Sequence, residues 1–320
     1  MRPQNLLGLA GSISVLRVSE PPAWDCQSLF TFGDSYTSTG FDVASTQPSL
    51  DNPMGNPELG QGTSADSINW VGYLTTTYND TPILSYNFAV YDATVDNDLV
   101  PSIPQDFVNQ VSVSFEPNYC QTSTQSVAGQ GWGPESALFV IWFGINEFVS
   151  LSPQSSSLNY ARVRERTNKP GTSVHGSFSD PSPPEKVACV LERYFAQIDR
   201  IYGCGARSFV AINVPQMHRS PKLLSYNART RRRYEKVVLE FNQQLEIAVL
   251  QWSQDHDDSS ITIYDAWTFT GGVLDNPRKY GFVDSTCMGE EGCVWWNSFH
   301  PRSAFHDLLA QDIARFLRTQ

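Results

Sequence analysis

The stretch SLFTFGDSY, residues 28–36, is a short apolar run closed by a polar turn. A run of this length bounded by turn residues reads as a strand buried on both faces. It stops at Gly33-Asp34-Ser35, which is ordinary turn chemistry. The pattern recurs at 83–89 (ILSYNFA), 137–144 (ALFVIWFG), 208–214 (SFVAINV) and 261–265 (ITIYD), each ending at a turn residue or a polar cluster. Amphipathic segments separate these runs. Strands alternating with helices predict an α/β fold, an open parallel sheet covered by helices on both faces.

The helical faces are legible. Val187, Val190, Leu191, Tyr194, Ile198 and Ile201 recur at helical spacing, as do Tyr234, Val237, Val238, Phe241, Leu245, Val249 and Trp252. A last helix, about 302–318, sets Phe305, Leu308, Leu309, Ile313 and Phe316 on one side, and His306 within it reads as structural or solvated. With 320 residues, the chain needs no more than one large core, so one domain over 25–320 is expected. The Ser- and Pro-rich stretch at about 150–184 lacks periodicity and reads as a long loop or insertion within it. Residues 1–24 carry Arg2 and then LLGLAGSISVL, the order of a signal peptide's charged and apolar regions, although no clear cleavage site follows, and an N-terminal extension is the other reading.

A formal charge of -11 and a pI near 4.9 argue against a nucleic-acid or anionic-membrane surface. Arg231 to Arg233, the one basic run, reads as a solvated helix face. No stretch is long and apolar enough to span a bilayer. The six cysteines suit an oxidising compartment, and with the N-terminal segment they predict a secreted, extracellular protein. Asn79-Asp80-Thr81 is a glycosylation pattern weakened by Pro82. Cys287 and Cys293 bracket a short loop and form the expected disulfide. Cys189 and Cys204 sit at the two ends of one helix, roughly 20 Å apart, and are not expected to bond to each other.

In open parallel sheets the site forms beyond the carboxyl ends of the strands. There the first strand offers Ser35. A serine hydroxyl needs a base to take its proton, and His300, just before the last helix, is the candidate. The third strand ends at Gly144-Ile145-Asn146-Glu147, where the Asn146 amide can donate to a developing oxyanion. The second strand runs into residues 87–94, a turn able to add a backbone N–H. Neither a metal nor an organic cofactor is implied, since no zinc spacing and no Gly-rich phosphate loop occurs.

Taken in order, FGDSYTSTGFD (32–42), INWVGYLT (68–75), NFAVYDATVDN (87–97), IWFGINE (141–147), AINVPQMHRSP (211–221) and VWWNSFHP (294–301) resemble the SGNH/GDSL hydrolases, and more narrowly the fungal carbohydrate esterase family 16 acetylesterases. The resemblance implies a three-layer α/β/α sandwich with a central parallel sheet. It implies Ser35 as nucleophile, His300 as base, and an oxyanion hole of Ser35, the main-chain N–H of Asp92, and Asn146. The expected partner is a small-molecule or oligosaccharide ester bearing short acyl, chiefly acetyl, groups, and the expected state is a monomer.

Three positions depart from the family pattern. Asp92 stands where glycine is usual, Glu147 where aspartate follows the asparagine, and Asn297 where an aspartate precedes the histidine by three residues. Asn297 can accept from His300 but cannot stabilise an imidazolium by charge, so Asp265 and Asp284 are candidate substitute carboxylates. Trp142, Trp295 and Trp296 are candidates for stacking on sugar rings or for packing. Two alternatives stay open, a lipid or general short-chain ester hydrolase, and an impaired carbohydrate-binding scaffold.

Overall fold

The computed structural model describes residues 26–120, 131–149 and 184–320. The expected signal segment and nearly all of the expected insertion lie outside the described residues. Five parallel strands form the sheet: β1 (Ser28–Gly33), β2 (Leu84–Asn87), β3 (Ala137–Trp142), β4 (Ser208–Ile212) and β5 (Ser260–Tyr264), in the order β2-β1-β3-β4-β5. β1 and β3 are buried along their whole length, as helical layers on both faces require.

The helices are α1 (Trp70–Thr76), α2 (Phe107–Asn109), α3 (Glu116–Tyr119), α4 (Ile145–Val149), α5 (Pro184–Gly203), α6 (Pro221–Leu224), α7 (Ala228–Asp255), α8 (Ala266–Asp275) and α9 (Ser303–Leu317). A π-helical stretch, Gln110–Phe115, joins α2 to α3. α1 packs on α9 and α5 on α7, giving the α/β/α sandwich its outer layers. The apolar residues read at helical spacing on α5 and α7 are all buried. The last helix lies within a residue of its expected ends.

Strands two to four end earlier than the apolar runs suggested, and the reason positions the site. After Asn87 the chain bends across the end of β1, with Phe88 N–H on Thr31 O at 2.8 Å and Val90 N–H on Gly33 O at 3.1 Å. β3 stops at Trp142 because Gly144 takes φ +114°, and a Cβ there would fall 2.4 Å from Val214. Gly33 is equally constrained, since a Cβ would meet Trp142 O at 2.7 Å.

Two disulfides are present among the described residues. Cys287 pairs with Cys293 as expected. Cys204 pairs with Cys120, which leaves Cys189 at the other part of α5 unbonded to it. The Cys120–Cys204 bond joins the end of α3 to the end of α5 across 84 residues. Closing a loop of that length restricts the unfolded chain by about 4–5 kcal/mol on the chain-entropy account.

Candidate active site

Ser35 lies in the turn that follows β1. Asp34 shapes this turn: its Oδ1 accepts from Tyr36 N–H at 2.9 Å, and its carbonyl accepts from Thr37 and Ser38 N–H. Asn69, the N-cap of α1, donates to Thr37 O and Ser38 O, and Asn87 donates to Thr37 O at 2.7 Å. Gln110 holds both the N–H and the carbonyl of Gly33 through its side-chain amide. The turn therefore hangs from three buried amide side chains. Position alone did not single these out, although Asn69 directly ahead of a helical run is a legible capping signal.

The structure brings the distant pair together. His300 Nε2 is 2.8 Å from Ser35 Oγ, across 265 positions in sequence. Ser35 is only 4% accessible, with the His300 loop closing over the turn. Tyr36 contributes to that closure by donating its hydroxyl to Phe299 O at 2.6 Å.

Asn297 is placed against the other ring nitrogen, with Oδ1 at 3.2 Å from His300 Nδ1. The same Oδ1 accepts from Phe299 N–H at 2.9 Å and His300 N–H at 2.8 Å. Main-chain N–H groups can only donate, so the atom facing His300 is the amide oxygen and not the nitrogen. Nδ1 must then carry the proton, which leaves the Nε2 lone pair for the Ser35 hydroxyl. This is the tautomer that accepts a proton from a serine. Burial, with the nearby Lys222 charge, lowers the His300 pKa to about 4, so the ring is neutral at physiological pH.

Neither substitute carboxylate is at the histidine. Asp265 caps α8 and accepts from Asn213 and Thr268. Asp284 is taken up by Thr286 and Cys287 N–H. Trp142 and Trp295 are buried, their indoles bonded to Asn213 O and Ser285 O. Trp296 is 40% exposed and lies against the Arg302 guanidinium.

The oxyanion candidates sit on the Ser35 turn, on the turn at Asp92 and in α4. The N–H groups of Ser35 and Asp92 have no acceptor among the described residues. Asn146 spends one amide hydrogen on Ala93 O at 2.9 Å. Asp92 keeps the glycine-like conformation at φ +59°, with its side chain exposed. No cluster of His, Cys, Asp and Glu able to hold a metal occurs among the described residues.

The family model for GDSL-like Lipase/Acylhydrolase matches residues 29–313, a span from the second residue of β1 through β5 to most of α9. The chain belongs to the GDSL-like lipase/acylhydrolase family. It is thus a carboxylic ester hydrolase by family. An acetylesterase of Thermothelomyces thermophilus is 32% identical over 297 residues, covering 89% of this chain and 86% of that protein. A GDSL esterase/lipase of Arabidopsis thaliana is 26% identical over 155 residues, covering 41% and 43%. Among solved structures, an acetyl xylan esterase from Geobacillus stearothermophilus aligns with a TM-score of 0.47 at 14% identity, covering 91% of this chain and 94% of that one. Within this GDSL-like enzyme, no helix of the described residues is long and apolar enough to cross a membrane.

Proposed function

We propose that this GDSL-like esterase hydrolyses short acyl, chiefly acetyl, esters through a Ser35 acyl-enzyme with His300 as general base. Ser35 Oγ attacks the ester carbonyl while its proton passes to His300 Nε2. The negative charge on the carbonyl oxygen is met by the N–H groups of Ser35 and Asp92 and by Asn146. His300 then gives its proton to the leaving alcohol, and water, deprotonated by the same nitrogen, releases the acid. The observation that carries this reading is the 2.8 Å contact of Ser35 with His300, combined with the tautomer that Asn297 imposes.

The acyl preference rests on the acetylesterase relative. A carbohydrate on the alcohol side is supported by Trp296. Its main-chain N–H donates to His300 O at 2.8 Å, which puts this exposed indole on the loop that delivers a proton to the departing alcohol. Oligosaccharides of the plant cell wall are the substrates proposed. Two disulfides fit a secreted enzyme.

The test is acetate release from acetylated xylo-oligosaccharides, set beside fatty-acid release from long-chain esters and binding without turnover. Ser35→Ala and His300→Ala are each expected to lower kcat by about 10⁴ or more, and the double variant to be little worse than either. A Ser35→Ala enzyme of wild-type activity would end the nucleophile assignment. A double variant far below both singles would end the paired role.

A further inference from the structure

The acids behind the turn are the most demanding groups that the Ser35–His300 pair does not use. Glu147 is 3% accessible; its Oε1 accepts from Val95 N–H at 2.6 Å, and its Oε2 has no partner among the described residues. The same holds for Asp34 Oδ2, on the residue just before Ser35, and for the hydroxyl of Tyr234 on α7. These groups feel one another: Glu147 and Asp92 act on Asp34, and Glu147 and Asp34 act on Tyr234. Asp96, at the far end of the turn, is already paired with Arg193 of α5 at 3.4 Å. No Lys, Arg or His forms an ion pair with Glu147 among the described residues. Two unpaired buried anions so placed are costly, and the cost falls if one keeps a proton.

Geometry says what the group does. Asn146 Nδ2 holds Ala93 O, and Glu147 Oε1 holds Val95 N–H, so two consecutive residues of α4 grip the turn from both kinds of main-chain atom. The Ser102 hydroxyl holds Asp92 O. Asp92 sits in the left-handed region, which aspartate enters more readily than most residues with a Cβ but still at a cost, and these bonds help to hold it there.

We propose that Glu147 is a positioning residue for ester hydrolysis: as a neutral acid it clamps the 92–95 turn so that the Asp92 N–H faces the carbonyl oxygen under attack, and its ionisation opposes the oxyanion with an unpaired negative charge from behind. The inference rests on the Ser35–His300 reading. Ionisation leaves the Val95 bond intact, so its effect is on transition-state charge and falls on kcat more than on KM.

The experiment is a pH profile of kcat and KM on a short-chain ester for wild type, Glu147→Gln and Glu147→Leu, with Ser35→Ala as control. Burial pushes the Glu147 carboxyl up to about 7, so wild-type kcat is expected to decline as pH rises through that region. Glu147→Gln keeps an acceptor for Val95 and cannot ionise; it should retain kcat within about threefold below that pH and lack the decline. Glu147→Leu removes the clamp and should lose about 100-fold in kcat at unchanged KM, the scale of a displaced oxyanion donor. A Gln variant with the wild-type decline, or a folded Leu variant with wild-type kcat, overturns the proposal. If Glu147→Leu does not fold, the Gln profile alone decides. An active Ser35→Ala control strikes instead at the underlying mechanism.

Discussion

At the scale of the residue, Asn297 presents a neutral amide oxygen to His300 Nδ1 at 3.2 Å, and on the proposed mechanism it does part of a carboxylate's work. Its amide could have presented either end to His300, and the wrong end would have favoured the wrong tautomer. Two main-chain N–H donors, from Phe299 and His300, remove that freedom. What remains absent is charge. Asn297→Asp is therefore expected to raise kcat by no more than about tenfold, well short of the ~10⁴ known for an aspartate-to-asparagine change that spoils the tautomer, a serine-protease precedent. It should also raise the His300 pKa from about 4, because a carboxylate beside the ring favours the imidazolium. The proposed mechanism requires the neutral ring, so the acid limb of the kcat profile should move to higher pH. Asn297→Leu loses both acceptor and turn, and a loss of about 100-fold is expected. An Asp variant with an unmoved acid limb would show that Nδ1 does not face position 297 in the working enzyme.

At the scale of the element, the segment from Cys287 to Pro301 carries His300, the proposed base, without regular secondary structure. Hydrogen bonds of Gly289 N–H to Trp295 O, Trp296 N–H to His300 O and Arg302 N–H to Val294 O fold it onto itself. The Cys287–Cys293 bond closes six positions of it, worth about 2 kcal/mol of chain entropy if the rest of the loop is free to relax. Arg302 pins its end through Asp66, whose other oxygen accepts from Ser303 N–H. Because the site depends on this loop and the sheet does not, mild reduction should uncouple the two. Activity is expected to fall about tenfold while far-ultraviolet circular dichroism stays native, followed in one thiol titration. Cys287→Ser should behave as the reduced enzyme does. Parallel loss of both signals would mean that this loop is part of the global folding unit.

At the scale of the whole molecule, buried ionisable groups pull stability in opposite directions with pH. His306 lies in α9, 2% accessible, with Nδ1 lacking a partner among the described residues, and burial, helped by the charge of His300, lowers its pKa to about 3. Between about 3 and the ordinary 6.5, the unfolded chain binds a proton that the folded chain refuses. Stability therefore falls as pH drops below 6.5, by on the order of 3 kcal/mol near pH 4.5. Glu147, raised to about 7 from 4.5, acts the other way, and its contribution falls as pH rises through that window. Urea unfolding of wild type and His306→Gln at pH 7 and 4.5 isolates the histidine. The variant should lose less stability on acidification, and equal losses would place His306 outside this balance.

The strand runs, the helical faces on α5 and α7, the α/β/α class and the His300 loop disulfide were legible in sequence because each is local. Periodicity and turn chemistry report which face of an element is buried, and cysteines only six positions apart in a short loop stay close wherever the loop lies. Strand ends were less legible: Phe88 and Val90 still bond to β1 while leaving the strand, a bend that hydrophobicity does not encode. Ser35, Asn146 and His300 stood out as polar residues after strands or before a helix, but the contact of Ser35 with His300 depends on tertiary structure carrying the segment before α9 to the carboxyl end of β1. The Cys120–Cys204 pairing, the retirement of Asp265 and Asp284 to local turns, and the burial of Trp142 and Trp295 were decided by tertiary structure alone. Cysteine pairing, the distance of the two carboxylates from His300 and the burial of the indoles all depend on how separate segments pack, which local pattern does not encode.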